Sequence, residues 1–143
     1  MSRPEPIIIQ GGMVVAVYAR PLARAVSLNG QLGVVAGTAL DVIVARRLQL
    51  GDPGGHVRRA LAAFPLPGMA DRVLERYFIP GGKAADRPFI ASQMHAIEPS
   101  RDLLDLTVVG NFVEVYLAKQ GHDGLVGINY LEKIQLPTLP SLF

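Results

Sequence analysis

The chain has 143 residues, of which half are hydrophobic and 18% are charged, and its formal net charge is +2. This composition is typical of a globular protein and argues against a nucleic-acid-binding surface, which needs a larger positive charge. The absence of cysteine excludes disulfides, Cys-ligated zinc, iron–sulfur clusters and thiol nucleophiles. No run reaches the roughly 18 apolar residues of a membrane span, and the N-terminus lacks a signal-peptide core. We therefore expect a cytoplasmic protein with neither membrane nor nucleic-acid partners.

The first third of the sequence predicts a strand, a helix and a second strand. The β-branched run Ile7 to Ile9 indicates a short strand buried on both faces, as in parallel sheets. Pro21 suits the first turn of a helix that stops at Asn29-Gly30. A second buried strand is expected over Leu32 to Thr38. Such a β-α-β unit is parallel and right-handed.

The middle of the chain predicts mostly helix. We expect one helix capped by Asp41 and ending near Gly51, one that begins at Asp52-Pro53 and runs through Leu61, and one from Met69 to Phe78. The stretch from Lys83 to Pro99 carries a weak signal and is interpreted as irregular, with a short extended piece near Phe89-Ile90.

The last part of the chain predicts a long helix and a third strand. Ser100 is the expected N-cap of a helix with apolar residues at helical spacing, which closes near Gly121. Leu125 to Tyr130 is the expected strand, and Pro137 opens a further helix. We interpret this order as the first three strands of a (β/α)8 TIM barrel, with a helical insertion between strands two and three. Because such barrels need eight strands and about 250 residues, residues 1–143 would be the N-terminal part of a single barrel domain.

In parallel α/β folds, ligands bind at the carboxyl ends of the strands. Here those ends read Gln10-Gly11-Gly12-Met13, Ala36-Gly37-Thr38 and Ile128-Asn129-Tyr130. Adjacent glycines let a backbone approach a flat ring or a phosphate, although a simple turn explains such a pair at least as well. The chain contains neither a G-x-G-x-x-G fingerprint nor a P-loop.

The same strand ends carry a resemblance to a known family. Four segments resemble the N-terminal part of the nitronate monooxygenases, formerly called 2-nitropropane dioxygenases. They are PIIIQGGM, LARAVSLNGQLGVVAGTA, GDPGGHVRRAL and GNFVEVYLAKQGHDGLVGINYLEKIQLPTLPSL. The resemblance covers nearly the whole chain. It implies an FMN-dependent barrel oxidoreductase that oxidises alkyl nitronates with dioxygen, with the FMN across the carboxyl ends of the strands.

The resemblance also implies which residues contact the cofactor. Gly11, Gly12 and Met13 match the first-strand segment at the flavin, Thr38 lies at the end of the second strand, and Asn129 matches the polar residue of the third. Gln10 is equally suited to contacting the cofactor and to a capping role. The chain departs from the family after Met13, where Val14 to Tyr18 replaces a small, Gly-rich continuation. These bulky residues make enzymatic activity less expected, but they do not change the expected fold.

No residue of this chain is assigned as a catalytic base, because the resemblance places that histidine in a more C-terminal part of the barrel. His56, His95 and His122 are interpreted as solvated or capping residues, and no pair has the spacing of a helical metal site. Of the charged residues we interpret Asp41, Asp52 and Asp102 as caps, Glu114 as an exposed helix residue, Glu132-Lys133 as a solvated pair, and Arg58, Arg59, Arg72 and Arg76 as helix-surface residues.

Two other functions stay open. The flavin-dependent enoyl-acyl-carrier-protein reductases share the GGM opening and would consume nicotinamide with enoyl thioesters. Alternatively, the chain is a non-catalytic remnant or interaction module. Its open strand edge would then favour self-association.

Overall fold

The computed structural model describes residues 5–14 and 20–130. These residues form two compact units. Of the described residues, 5–14, 20–38 and 114–130 belong to the first unit, here called the sheet unit, and 39–113 belong to the second, the helical unit. The prediction of one domain over residues 1–143 stays a prediction. No helix in the described part of the chain is long and apolar enough to cross a membrane.

Three parallel strands form the sheet. They are β1 (Ile9–Gln10), β2 (Leu32–Ala36) and β3 (Val126–Asn129), in the order β1-β2-β3. Ile9 pairs with Leu32, and Gly33 pairs with Val126 on the other side of β2. The helix α1 (Arg20–Leu28) connects β1 to β2, which confirms the predicted β-α-β unit.

The prediction of a partial TIM barrel is wrong. In a barrel the sheet closes on itself, so that every strand has two neighbours. In the described residues β2 alone has two, whereas β1 and β3 each pair only with β2. The described chain is an α/β structure with one open parallel sheet and five helices. Sequence patterns predict the strands, but closure depends on pairing between distant strands, which no local pattern specifies.

The first strand also differs from its prediction. It is shorter than expected, and the isoleucines around it are exposed rather than buried on both faces. The exposed fractions are 91% for Ile7, 61% for Ile8 and 65% for Ile9. The strand lies at an edge of the sheet, and a β-branched run indicates burial only if neighbours cover both faces. The backbone N–H groups of Ile7 and Ile8 donate to the Gln31 side chain, at 3.0 and 2.8 Å.

The helical unit contains the larger core. Its helices are α2 (Leu40–Gln49), α3 (His56–Ala62), α4 (Pro67–Tyr77) and the first part of α5 (Arg101–Lys119), and a single 3-10 turn, Pro53–Gly55, precedes α3. Leu48, Val57, Leu106 and Val109 are fully buried. The rings of Phe64 and Phe112 pack edge to face with their centroids 5.0 Å apart. Such burial of aliphatic and aromatic side chains is the main stabilising contribution to the unit.

The predicted helix caps are partly confirmed. The Ser100 hydroxyl accepts the backbone N–H of Leu103 at 3.2 Å, as expected for the N-cap of α5. The Asp52 carboxylate accepts the backbone N–H groups of Val57 and Arg58, at 3.0 and 2.9 Å, and so caps α3 across the 3-10 turn. Asp41 is not a cap, because Ala39 occupies that position in a left-handed conformation with φ 55° and Asp41 lies inside the first turn.

Four other charged residues of the helices form two ion pairs. Asp102, which we predicted as a cap, pairs instead with Arg76 of α4. Arg72 donates from Nε to Asp105 Oδ2 at 2.6 Å, and this hydrogen bond raises the pKa of Arg72 above its ordinary value. These two ion pairs join α4 to α5 within the helical unit.

The prediction that Glu114 is exposed is wrong. The residue is 1% exposed, and Arg20 Nη1 lies 3.5 Å from its Oε1 atom. Helical periodicity alone does not reveal this, because the residues around Glu114 on α5 are apolar on more than one side. A buried carboxylate next to an arginine is strongly sensitive to the loss of its partner.

Candidate functional site

The carboxyl ends of the three strands position the candidate site. Because the strands are parallel, their ends lie at the same edge of the sheet. Gly11, Gly12 and Met13 follow β1, Thr38 follows β2, and Asn129 is the last residue of β3. The structure therefore brings the predicted cofactor-binding residues to one edge.

Two glycines at this edge are required by the packing of the backbone. A Cβ atom on Gly12 would lie 2.8 Å from the carbonyl oxygen of Val34. A Cβ atom on Gly37 would lie 2.3 Å from the carbonyl oxygen of Asn129, to which the Gly37 N–H donates at 2.8 Å. Neither distance is tolerable for a side chain. The close approach of neighbouring strands explains both glycines without a ligand.

Gly11 and Met13 differ from those two glycines because they are exposed. A Cβ atom on Gly11 would meet nothing nearer than Met13 Cγ at 3.9 Å, and Met13 is 74% exposed. Gln10, which precedes them, has a structural role. Its amide donates to the carbonyl oxygen of Gly11 at 2.7 Å and accepts the Val34 N–H at 3.2 Å. The segment after β1 is thus held by Gln10 and presents an open backbone and a flexible apolar side chain.

Asn129 carries the most informative atom of the site. Its Nδ2 group lies 3.8 Å from Met13 Sδ, a weak hydrogen bond. Its Oδ1 atom is buried and accepts no hydrogen bond from any residue in 5–14 or 20–130. A buried acceptor without a donor costs about 1–3 kcal/mol, so such atoms are uncommon in native proteins and call for a partner. Asn129 therefore offers an acceptor to an N–H or O–H donor.

Thr38 is brought to the same edge but contributes less. It is half-buried and lies two residues beyond the end of β2. In the part of the chain that the structure describes, it makes no hydrogen bond to Asn129 or Met13. Its proposed role in binding a cofactor stays a prediction.

The three histidines lie away from these strand ends in the sequence, and each has a local partner. His122 lies near the carbonyl oxygen of Ala118, at 2.7 Å from Nε2, and accepts the Gly124 N–H at Nδ1, which confirms a capping role. His56 Nδ1 is 2.9 Å from Arg59. His95 was predicted to be solvated or capping, but it is half-buried with Nε2 3.2 Å from the Asp41 carboxylate. No sequence spacing signals that pair, since 54 positions separate its members.

Some predicted features lie outside the described residues. These are the bulky segment Val15 to Tyr18, the pair Glu132-Lys133 and the helix expected after Pro137. Within residues 5–14 and 20–130, no group of three or more His, Asp or Glu side chains is arranged to hold a metal ion.

Comparisons with protein-family models, with curated proteins and with solved structures found no match for this chain.

Proposed function

We propose that the chain supplies one side of an FMN site in an oxidoreductase of nitronate monooxygenase type, which oxidises alkyl nitronates with dioxygen. The sequence resemblance suggests the cofactor and the substrate class. The observation that supports a ligand at the strand ends is the buried Oδ1 atom of Asn129, which has no hydrogen-bond partner in the described part of the chain.

The residues at the strand ends offer the kinds of contact that a flavin ring can make. An isoalloxazine ring has an imide N–H donor, carbonyl and ring-nitrogen acceptors and two apolar faces. Asn129 Oδ1 would accept the ring N–H, and the exposed Met13 side chain would pack against the ring, since thioethers make favourable contacts with aromatic systems. Gly11 leaves room for a planar group beside the backbone.

In this proposal the chain binds and orients the cofactor. FMN, when bound, supplies the electron-transfer chemistry, while the protein tunes it through hydrogen bonds and excludes water. Asn129, fixed at the end of β3, has the orienting role. None of the three histidines is assigned as a base, because each lies against a partner of its own.

Flavin titration tests the proposal directly. The full chain is added to FMN, and the quenching of flavin fluorescence is followed to saturation. We expect saturable quenching, and Asn129→Ala should weaken binding about fivefold through the loss of one hydrogen bond. Asn29→Ala is the matched control, because Asn29 is an exposed asparagine of the same unit whose side-chain amide donates to the nearby Ala25 carbonyl oxygen. Quenching that is absent, or that both variants leave unchanged, would contradict the proposal.

The reaction type is tested on the protein purified from its natural gene. After reconstitution with FMN we expect oxygen uptake with alkyl nitronates and no nicotinamide oxidation. Nicotinamide consumption with enoyl thioesters would instead support the enoyl-acyl-carrier-protein reductase alternative.

One observation favours a second, non-catalytic function. The exposed isoleucines Ile7, Ile8 and Ile9 lie along the edge of an open sheet, and exposed apolar edges promote association. If the chain is an interaction module, size-exclusion chromatography with light scattering will show a concentration-dependent oligomer that Ile8→Lys dissociates. A monomer at all concentrations would exclude this function.

A further inference from the structure

A cleft in the helical unit, separate from the strand ends, has the features of an anion-binding site. It has a volume of about 260 Å³ and lies between one side of α2 and the irregular segment that follows α4. The α2 side is lined by Val42, Ala45 and Arg46, and the other by Phe89, Ile90 and Ser92. The lining offers polar and apolar surface in about equal share, which suits a small molecule that carries both kinds of group.

The segment that forms one wall is held firmly against α2. The buried side chain of Gln49 accepts the Ile90 N–H at 2.6 Å and donates to the Ile90 carbonyl oxygen at 3.1 Å, like a strand partner. The Lys83 N–H donates to the Gln49 carbonyl oxygen at 2.7 Å. These three hydrogen bonds fix the wall on both sides of Phe89, so that the cleft is formed before any ligand binds.

Two cations lie beside the ring of Phe89. Arg46 Cζ is 5.3 Å and Lys83 Nζ is 4.7 Å from the ring centroid. Neither forms an ion pair with a carboxylate in residues 5–14 or 20–130, and Asp86, the acidic residue of the same segment, is exposed and also unpaired there. Arg46 therefore brings uncompensated positive charge to the cleft that it lines, and Lys83 adds a second charge near the ring of Phe89.

Arg46 and Lys83 are both placed so that their positive charge attracts an oxyanion. Lys83 Nζ is fixed by the carbonyl oxygens of Ala84 and Arg87, at 3.1 and 2.7 Å, so its charge is held in place. A guanidinium beside an aromatic ring keeps its N–H donors available in its own plane, where they match two oxygens of a phosphate or a carboxylate. Two cations at one ring favour a dianion over a monoanion.

We propose that this cleft binds a phosphate monoester that carries an apolar or aromatic group. The phosphate lies against Arg46, and the apolar group occupies the space between Val42, Ala45 and Ile90. This site is independent of the proposed FMN site, which rests on residues of the sheet unit.

Isothermal titration calorimetry of the full chain with phenyl phosphate at low salt tests the proposal. We expect saturable binding that weakens with added salt and that Arg46→Gln lowers about tenfold. Phe89→Leu should also weaken binding, since the ring positions both cations. Arg101→Gln is the control, because Arg101 is an exposed arginine of the helical unit without an ion pair in the described residues, and it should bind like the wild type.

Three further probes identify the ligand class. If benzoate binds more weakly than phenyl phosphate, the site prefers a phosphate to a carboxylate. If inorganic phosphate binds more weakly than phenyl phosphate, the apolar group of the ligand contributes to binding. A hexaglutamate peptide should not bind. The proposal is overturned if phenyl phosphate does not bind at millimolar concentration, if Arg46→Gln has no effect, or if benzoate or inorganic phosphate binds as tightly. Arg46-dependent binding of the peptide alone would show an acidic protein partner instead.

Discussion

The core of the helical unit and the first strand of the sheet unit differ in how far their aliphatic side chains are buried. Leu48, Leu106 and Val109 of the helical unit are completely buried, whereas Ile7, Ile8 and Ile9 of the sheet unit are more than half exposed. The sheet unit also contains Asn129 Oδ1, a buried acceptor that receives no hydrogen bond within residues 5–14 and 20–130. Exposed apolar groups and unsatisfied polar atoms both cost stability, and they concentrate where a surface binds something. We infer that the buried core of the helical unit contributes most to stability, whereas the strand ends of the sheet unit leave groups open to a ligand.

The largest effect is expected in the helical core. Leu106→Ala removes a fully buried side chain from α5 and should lower the free energy of unfolding by about 3 kcal/mol. Leu66→Ala, at a residue of the same unit that is 57% exposed, is the control and should cost well under half as much. Chemical denaturation measures both. If the two variants lose equal stability, the helical unit does not have the core described.

A smaller effect is expected where β2 approaches α1. A Cβ atom on Gly33 would lie 1.9 Å from the carbonyl oxygen of Ala23, so Gly33→Ala forces the backbone to move and should cost about 2 kcal/mol. Gly127→Ala, on the neighbouring strand, meets only side-chain atoms at 3.6 and 3.7 Å. Its thermal midpoint should stay near that of the wild type. A reversed order of the two midpoints would contradict the register of the sheet.

The smallest effect is expected at the exposed edge. Ile8→Thr keeps a β-branched side chain and removes apolar surface, and exposed substitutions of this kind usually change stability by less than about 0.5 kcal/mol. Denaturant midpoints measure this change. A loss comparable to that of Leu106→Ala would mean that the isoleucine is covered, and the contrast between the two units would disappear.

Local sequence signals predict most of the elements. Pro21 and the Asn29-Gly30 stop bracket α1, Ser100 caps α5, and the valine-rich run after Gly33 forms β2. Each of these depends on neighbours within a few positions in the chain. The absence of a regular element between Lys83 and Pro99 is predicted for the same reason.

Features that depend on distant residues are not predictable in this way. The sheet is open rather than part of a closed barrel because strand pairing, not strand propensity, decides closure. Glu114 is buried beside Arg20, and Asp41 contacts His95, across 94 and 54 positions respectively. The cleft at Phe89 arises because Gln49 binds the Ile90 backbone, 41 positions away. At the candidate site, the residue types are predictable, but only the structure shows that Asn129 Oδ1 is buried and has no partner among the described residues.

Asn129→Leu, measured for both stability and FMN binding, distinguishes a ligand-binding role of Asn129 from a structural one. If Asn129 Oδ1 is a ligand acceptor, an apolar side chain of similar size should leave the free energy of unfolding within about 1 kcal/mol of the wild type, or raise it, because a buried unsatisfied atom is removed. The same variant should bind FMN at least about fivefold more weakly. Strong destabilisation with unchanged FMN binding would contradict the account, because Asn129 would then be a structural residue of the sheet.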